Sequence, residues 1–416
     1  MTDKNITKKR ELKTINDFMF SELFYSQSSD GFYQHNYNKD LHLIIVDKKN
    51  KQFLSKIYKK VSYLFKIINS IDIVWSDNKY IENSARLFNG ELLLKEFTLI
   101  IFEDKNPKYQ LSMSSKQYKN VNIVSLKDEF HHLTNTYFSD GLSEFFRLAV
   151  LVFGKNKLFE VIEGKEENTL HADIVGTAGW ADFKEFIEVA NMTASWLILR
   201  NFEYLPYDFF EKDKDVDMLC ADINLFASTM NLKKWSWGIG AYETVIEDKV
   251  VPFDVRFLGD NYYDKLWQYN MLESRILTED NVPRMNDINY FFSLIYHSKI
   301  QKTNVKPVYV DRLFDLSRKI NFNEYEKDLI HQDKEISAVI NNFLALNHYR
   351  YVRPLDISVP ENTLIVKHLD AHPLKGITLN IPLNVSVKKY VPEFIFKLIP
   401  TRVKTILKRS FPRVFK

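Results

Sequence analysis

The sequence predicts an α+β protein built in several parts, and three observations predict it. Short apolar runs alternate with segments of helical apolar spacing over the first 155 residues. Two aspartate-bearing strands follow in mid-chain, within 213–222 and 250–257. Four successive segments of helical spacing then occupy 264–346. The expected layout is a small N-terminal α/β domain (1–155), then a central mixed sheet with helices that ends in a C-terminal helical bundle (175–350). A short-stranded or irregular stretch (351–384) and a basic amphipathic tail (385–416) complete it. A chain of 416 residues is long enough for two or three such parts.

Composition narrows the function classes. A hydrophobic share of 45% with 27% charged residues is ordinary for a globular chain. Cys220 is the single cysteine, so no disulfide forms within the chain and no cysteine zinc site is available. That fits a reducing compartment. Residues 1–14 are polar and basic and lack the apolar centre of a signal peptide. No apolar run has the length of a membrane-spanning helix. A cytoplasmic location is therefore expected. The net charge of +3 is too small to argue for nucleic acid.

Strands are expected at Leu41–Val46, Ile71–Trp75, Phe97–Phe102 and Val121–Val124. Helices are expected over Gln52–Ile68, from Leu126 with Ser125 as its cap, and over Ser143–Phe153. The polar run Gly154–Lys157 reads as a linker or surface loop. Beyond it come a helix over Ala181–Met192, a buried strand over Ala194–Leu199, and then the acidic strands. The four later helices are expected at 264–276, 287–300, 309–320 and 334–346.

The acidic strands carry the chemistry. Asp215 and Asp217 are two apart and so point to one face of a strand. In the second strand Val251, Phe253, Val255 and Phe257 form one face, with Asp254 and Arg256 on the other. Adjacent strands would bring Asp254 beside the first pair. Three carboxylates suit Mg²⁺, a hard cation that takes oxygen ligands and leaves room for substrate phosphates. Two such ions about 3.5–4 Å apart would clamp the oxygens of an in-line phosphoryl displacement.

The order helix, strand (Trp196–Arg200), loop, Asp-Val-Asp strand, then Phe-Asp-Val strand resembles the nucleotidyltransferase superfamily, which includes DNA polymerase beta. It looks closest to uncharacterised nucleotidyltransferase-like proteins of bacterial surface-polysaccharide gene clusters. The resemblance covers about 175–350. It implies that Asp215 and Asp217 are the paired metal ligands and Asp254 the third carboxylate. Superfamily members usually carry Gly-Ser on the loop before the paired aspartates. Here that loop is Arg200-Asn-Phe-Glu-Tyr-Leu-Pro-Tyr-Asp208. Arg200 and Asn201 are then the candidates for phosphate contact.

Other candidate phosphate contacts are Arg256, a fork donor beside Asp254, and Lys299 and Lys302, three apart at a helix end. In the tail, Val403, Ile406, Leu407 and Phe411 fall on one helical face among Arg402, Lys404, Lys408 and Arg409. This pattern over 394–416 suits an anionic membrane surface better than nucleic acid. The function expected is Mg²⁺-dependent transfer of a nucleotidyl, phospho-sugar or phospho-alditol group. A nucleotide is the donor and a glycan or lipid-linked molecule the acceptor, at the inner face of the membrane. Two alternatives stand beside it: a metal-dependent glycosyltransferase, and a non-catalytic scaffold with an altered transferase fold.

Overall fold

The first sheet is centred on two strands buried on both faces. In the computed structural model, which describes residues 39–369 apart from 89, 112–117, 166–167, 237 and 303, β1 (Asp40–Asp47) has every residue from Leu41 onward buried. Next come α1 (Leu54–Leu64), β2 (Lys66–Val74), α2 (Tyr80–Phe88) and β3 (Glu96–Asp104). A small hairpin of β4 (Tyr109–Leu111) and β5 (Tyr118–Asn120) leads to α3 (Val121–Phe130) and β6 (Thr136–Phe138). The long α4 (Leu142–Ile162) and β7 (Thr169–His171) complete this half. The strand order is β6-β1-β3-β2-β7, with β3 antiparallel to both β1 and β2.

Side-chain alternation splits this sheet between two cores. Ile44, Val46, Ile100 and Phe102 pack with Ile57 and Val61 of α1 and with Ile123, Leu126 and Phe130 of α3. Leu41, Leu43, Ile45, Ile71, Leu99 and Ile101 pack on the other side with α4. Residues 145–153 of α4 are all buried, as expected of a helix enclosed on all sides.

Three local expectations are corrected here. Val121–Val124 is the first turn of α3, not a strand, and the cap is Asn120, not Ser125. The Asn120 side chain accepts a hydrogen bond from the backbone N–H of Asn122. The helix expected over 52–68 is only α1, because β-branched Ile67 and Ile68 already belong to β2. Gly154 does not open a linker. It sits inside α4 at φ 69° and kinks the helix, a conformation that favours glycine. The core therefore runs through residue 155 without a break.

The second half repeats the pattern. It contains α5 (Phe183–Thr193), β8 (Trp196–Ile198), α6 (Phe209–Lys212), β9 (Val216–Cys220), α7 (Ile223–Thr229), β10 (Lys233–Lys234), β11 (Ala241–Ile246) and β12 (Lys249–Phe257). Then come α8 (Lys265–Glu273), β13 (Ile276–Leu277), β14 (Pro283–Arg284), α9 (Asp287–Lys299), α10 (Pro307–Lys319), α11 (Asp333–Leu346) and α12 (Thr363–Val366). The sheet order is β10-β11-β12-β9-β8-β14-β13. Asp182 caps α5 by accepting the N–H of Glu185, and α4 packs against α5. Trp196, Ile198, Val216, Met218, Phe253 and Val255 face this shared helical layer. Leu197, Leu199 and Leu219 face the opposite way, into a core with α8, α9, α10 and α11. The layers thus alternate helix, sheet, helix, sheet, helix, with the middle helices serving both sheets.

The stretch after 351 is irregular up to the short α12, and residues 370–416, including the rest of the expected 351–384 stretch and the basic tail, lie outside the described residues. Residues 1–38 lie outside them too. No helix among the described residues is long and apolar enough to cross a membrane.

Gly240 closes the approach to β12. Its φ is +90°, and a Cβ there would lie 2.4 Å from the Val255 carbonyl oxygen and 3.3 Å from Asp254 Oδ1. Gly240→Ala is expected to cost about 1–3 kcal/mol in a urea titration through overpacking and the positive φ. Ala241→Ser, one residue on, is expected to leave stability nearly unchanged.

Candidate functional site

Strand pairing decides which side chains meet. β12 runs parallel to β9, with Asp254 directly opposite Asp217. Asp215 precedes Asp217 by two, so it extends the same row. That row belongs to the face whose next member, Leu219, is buried under the helical bundle. The bundle stops short of the aspartates. A cavity of about 400 Å³ remains between the sheet end, the residues Gln301, Lys302, Asn304, Lys306 and Tyr309, and residues 358–360.

One wall of this cavity is acidic, with Asp213, Asp215, Asp217 and Asp254. The structure therefore brings the three expected aspartates together, and adds Asp213. Arg200, Arg256, Lys302 and Lys306 also line it. Four acids thus meet four cations there, with the two arginines held against Asp217 and Asp254 and the two lysines without an ion pair among the described residues.

Two arginines already hold two of the carboxylates. Arg200 follows β8 and grips Asp217 with both prongs, Nε to Oδ2 at 3.1 Å and Nη2 to Oδ1 at 2.5 Å. Arg256 donates from Nη2 to Asp254 Oδ2 at 2.8 Å and from Nη1 to Asp356 Oδ2 at 2.9 Å. Its guanidinium also lies 4.2 Å from the Tyr262 ring centre. Both arginines are about 7% exposed. Each keeps one buried nitrogen without a partner, Nη1 of Arg200 and Nε of Arg256. Burial opposes charge on Arg200, yet Asp217 holds its pKa well above the ordinary value.

The remaining acids are under strain of like charge. Burial, then Asp217, Asp213 and Asp254, raise the pKa of Asp215 above the usual aspartate range. Asp215 makes no hydrogen bond among the described residues. Burial also raises Asp254, against the pull of Arg256. Asp254 Oδ1 is without a hydrogen-bond donor among the described residues. The open oxygens are thus those of Asp215 and one of Asp254. Among the described residues no three His, Cys, Asp or Glu side chains sit as a ready metal cage. Two open carboxylates still fit Mg²⁺, which is commonly held by one or two carboxylates together with substrate phosphates.

Asn201 shapes the loop that lacks glycine and serine. It adopts the left-handed conformation at φ 58°, ψ 26°, which asparagine tolerates better than most residues. Its Nδ2 donates to Asp213 Oδ2 at 2.8 Å, and its Oδ1 accepts from Arg312 Nη1 at 3.3 Å. Asn201 therefore positions an acid of the wall and borders the cavity.

Sequence reasoning placed two lysines of α9 and its exit here, and the structure separates them. Lys302 borders the cavity. Lys299 turns away, nearly buried, with its ammonium 2.7 Å from Asp333 Oδ1. Lys306, Asn304, His297 and Ser358 line the cavity and were not singled out as site residues by sequence. Lys306 and Asn304 carried a signal, a polar run between two helices directly after Lys302. Asp356 carried none, being a lone acid in an irregular segment. His297 is 5% exposed, and its Nδ1 lies 3.2 Å from the Tyr262 hydroxyl and 3.3 Å from Gln301 Oε1. That leaves Nε2 as the free ring nitrogen. Burial and the Arg200 charge push the His297 pKa well below 6.5, so the ring is neutral at pH 7.

A scan against protein-family models, a search of curated proteins and a search of solved structures each find no match to this chain.

Two outcomes follow from the charge arrangement. Arg200→Ala, which strands Asp217 without its partner, is expected to destabilise the fold by about 3 kcal/mol in chemical denaturation. Asp215→Asn is expected to do the reverse. Its raised pKa means the metal-free fold loses stability as pH rises above the unfolded value, and the substitution removes that loss. Because the side chain is exposed and solvent screens it, the gain should be on the order of 0.5 kcal/mol or less, seen as a small rise in Tm at pH 7.

Proposed function

We propose that this cavity binds a nucleotide through its phosphates together with Mg²⁺, and transfers a nucleotidyl or phospho-sugar or phospho-alditol group to an acceptor hydroxyl. The observation that carries this reading is one cavity lined both by carboxylates with open oxygens, Asp215 and Asp254, and by two lysines without an ion pair among the described residues, Lys302 and Lys306. A metal–polyphosphate complex offers a cation to the first and phosphate oxygens to the second. When bound, Mg²⁺ would neutralise phosphate charge and polarise the phosphorus under attack.

Asp215 and Asp254 would hold the metal. Asp217, occupied by Arg200, would fix the guanidinium at the cavity edge instead of serving as a full ligand. Lys302 and Lys306 would meet the phosphate oxygens as charge-assisted donors, and Arg200 and Arg256, held on their aspartates, would add positive charge at the cavity lining. His297, kept neutral and fixed through Nδ1, would accept the proton of the acceptor hydroxyl on Nε2. The resemblance to nucleotidyltransferase-like proteins of surface-polysaccharide gene clusters supports a glycan or lipid-linked acceptor. It also supports a cytoplasmic protein attached to the inner face of the membrane through 394–416.

The two-pronged Arg200–Asp217 pair favours a second reading, in which the chain binds nucleotide but does not turn it over. Product analysis separates the two. Incubation with each nucleoside triphosphate, nucleotide sugar and CDP-alditol plus Mg²⁺ should release pyrophosphate, a nucleoside diphosphate or a nucleoside monophosphate if transfer occurs. Released nucleoside diphosphate from a nucleotide sugar would mark the glycosyltransferase alternative.

By isothermal titration, Asp215→Asn with Asp254→Asn is expected to abolish Mg²⁺-dependent nucleotide binding. Lys302→Gln with Lys306→Gln should weaken it about tenfold or more. Lowering the pH should weaken metal-dependent binding while still above the ordinary aspartate value of 3.8, because both open carboxylates have raised pKa values and must lose their protons to bind metal. Nucleotide binding that ignores both Mg²⁺ and the aspartate substitutions would refute the assignment.

A further inference from the structure

The first sheet carries a surface that the cavity chemistry does not explain. From Lys48 to Lys66 the chain has seven lysines and no aspartate or glutamate. This stretch holds a short 3₁₀ turn and α1. Ile57 and Val61 anchor α1 on the sheet. Within α1, Lys56, Lys59 and Tyr63 recur every three or four residues on the opposite side and are exposed, as are Gln52 in the turn before the helix and Lys66 at the start of β2. Lys49 and Lys51 extend the same basic surface in the turn before it.

Few acids answer these charges. Lys48 pairs with Glu96, and Lys60 with Glu129 of α3 at 2.7 Å. Lys56 lies 5.7 Å from the Phe130 ring centre. Lys49, Lys51, Lys59 and Lys66 have no ion pair among the described residues. At the end of the helix Tyr63 is 83% exposed and Leu64 44%. A solvated helix face needs neither an exposed aromatic nor an exposed leucine beside its cations.

We propose that this face of α1 docks the protein onto an anionic lipid surface. The lysines meet the headgroups, and Tyr63 and Leu64 enter the interfacial layer, where a partly polar ring and an aliphatic side chain are both favoured. The site lies in the first half of the chain and is independent of the tail at 394–416. It gives the N-terminal half the task of holding the protein at a membrane, whether or not the cavity is catalytic. Charge alone would equally suit nucleic acid, but Leu64 has no role on a phosphate backbone.

The test uses the full chain with the charges of its tail at 394–416 neutralised by Lys397→Gln, Arg402→Gln, Lys404→Gln, Lys408→Gln, Arg409→Gln, Arg413→Gln and Lys416→Gln. Co-sedimentation is measured with phosphatidylcholine vesicles, with and without phosphatidylserine, at low and high salt. Binding that needs phosphatidylserine and falls with salt is expected to persist. Each lysine contributes roughly 1 kcal/mol near such a surface, or about fivefold in partitioning. Adding Lys49→Gln, Lys51→Gln, Lys56→Gln and Lys59→Gln should therefore cut binding by more than about tenfold. Tyr63→Ser with Leu64→Ser should weaken it with the charges intact. All six positions are exposed, so the circular dichroism spectrum should not change. The proposal is overturned if the tail-neutralised chain does not sediment with anionic vesicles, or if the lysine variant sediments equally. It is also overturned if single-stranded RNA is bound more tightly than vesicles at the same salt, with no effect of Tyr63→Ser and Leu64→Ser.

Discussion

The parallel pairing of β9 with β12 is the constraint on which the rest depends. It sets Asp254 opposite Asp217 and so gathers carboxylates that are 37 residues apart in the chain. A slip of one residue would turn Asp254 into the apolar layer and bring Val255 out. The register is held by burial on the far face, where Val216, Met218, Phe253 and Val255 pack with α5. It is held again at the edge, where the Val255 N–H donates to the Gly240 carbonyl at 2.8 Å. Gathering acids is unfavourable by itself, and the fold offsets it with Arg200 and Arg256. Those two buried guanidinium groups answer Asp217 and one oxygen of Asp254, and leave Asp215 and the other Asp254 oxygen open.

The same arrangement explains why the site lies where it does. The bundle covers Leu197, Leu199 and Leu219 but ends before the aspartates. What closes the cavity is mostly connecting chain: Gln301, Lys302, Asn304 and Lys306 between α9 and α10, and residues 358–360 beyond the bundle, joined by His297 of α9 and Tyr309 of α10. Loops placed over a rigid sheet end are where binding groups are commonly found. Asp356 ties the second of these segments to Arg256, and through it to Asp254. One arginine thus links the cavity cover to a carboxylate of the site.

Much of this was legible in the residues. Alternation in 250–257 assigned Asp254 and Arg256 to one face correctly, because apolar residues at every second position leave a strand one way to lie. The four bundle helices also follow their apolar spacing. Other features were hidden for physical reasons. Val121–Val124 is apolar enough for a strand, and only Asn120, a cap set against the sheet, makes it a helix start. Gly154 resembles a loop residue, yet the packing of α4 on both sides carries the helix through it. The grip of Arg200 on both oxygens of Asp217 joins residues in different strands, and a linear pattern gives no sign of it. Lys299 and Lys302 look equivalent at a helix end, and only tertiary contact turns Lys299 to Asp333.

The central claim is that the open carboxylates and the two lysines of this cavity together hold one metal–phosphate ligand. Anomalous diffraction from crystals grown with Mn²⁺ and the nucleotide that binds tightest tests it most directly. The account predicts an anomalous peak between Asp215 and Asp254, with phosphate density reaching Lys302 and Lys306 and Arg200 still on Asp217. Phosphate density in the cavity with no metal beside these aspartates, or a metal bound only elsewhere on the chain, would contradict it.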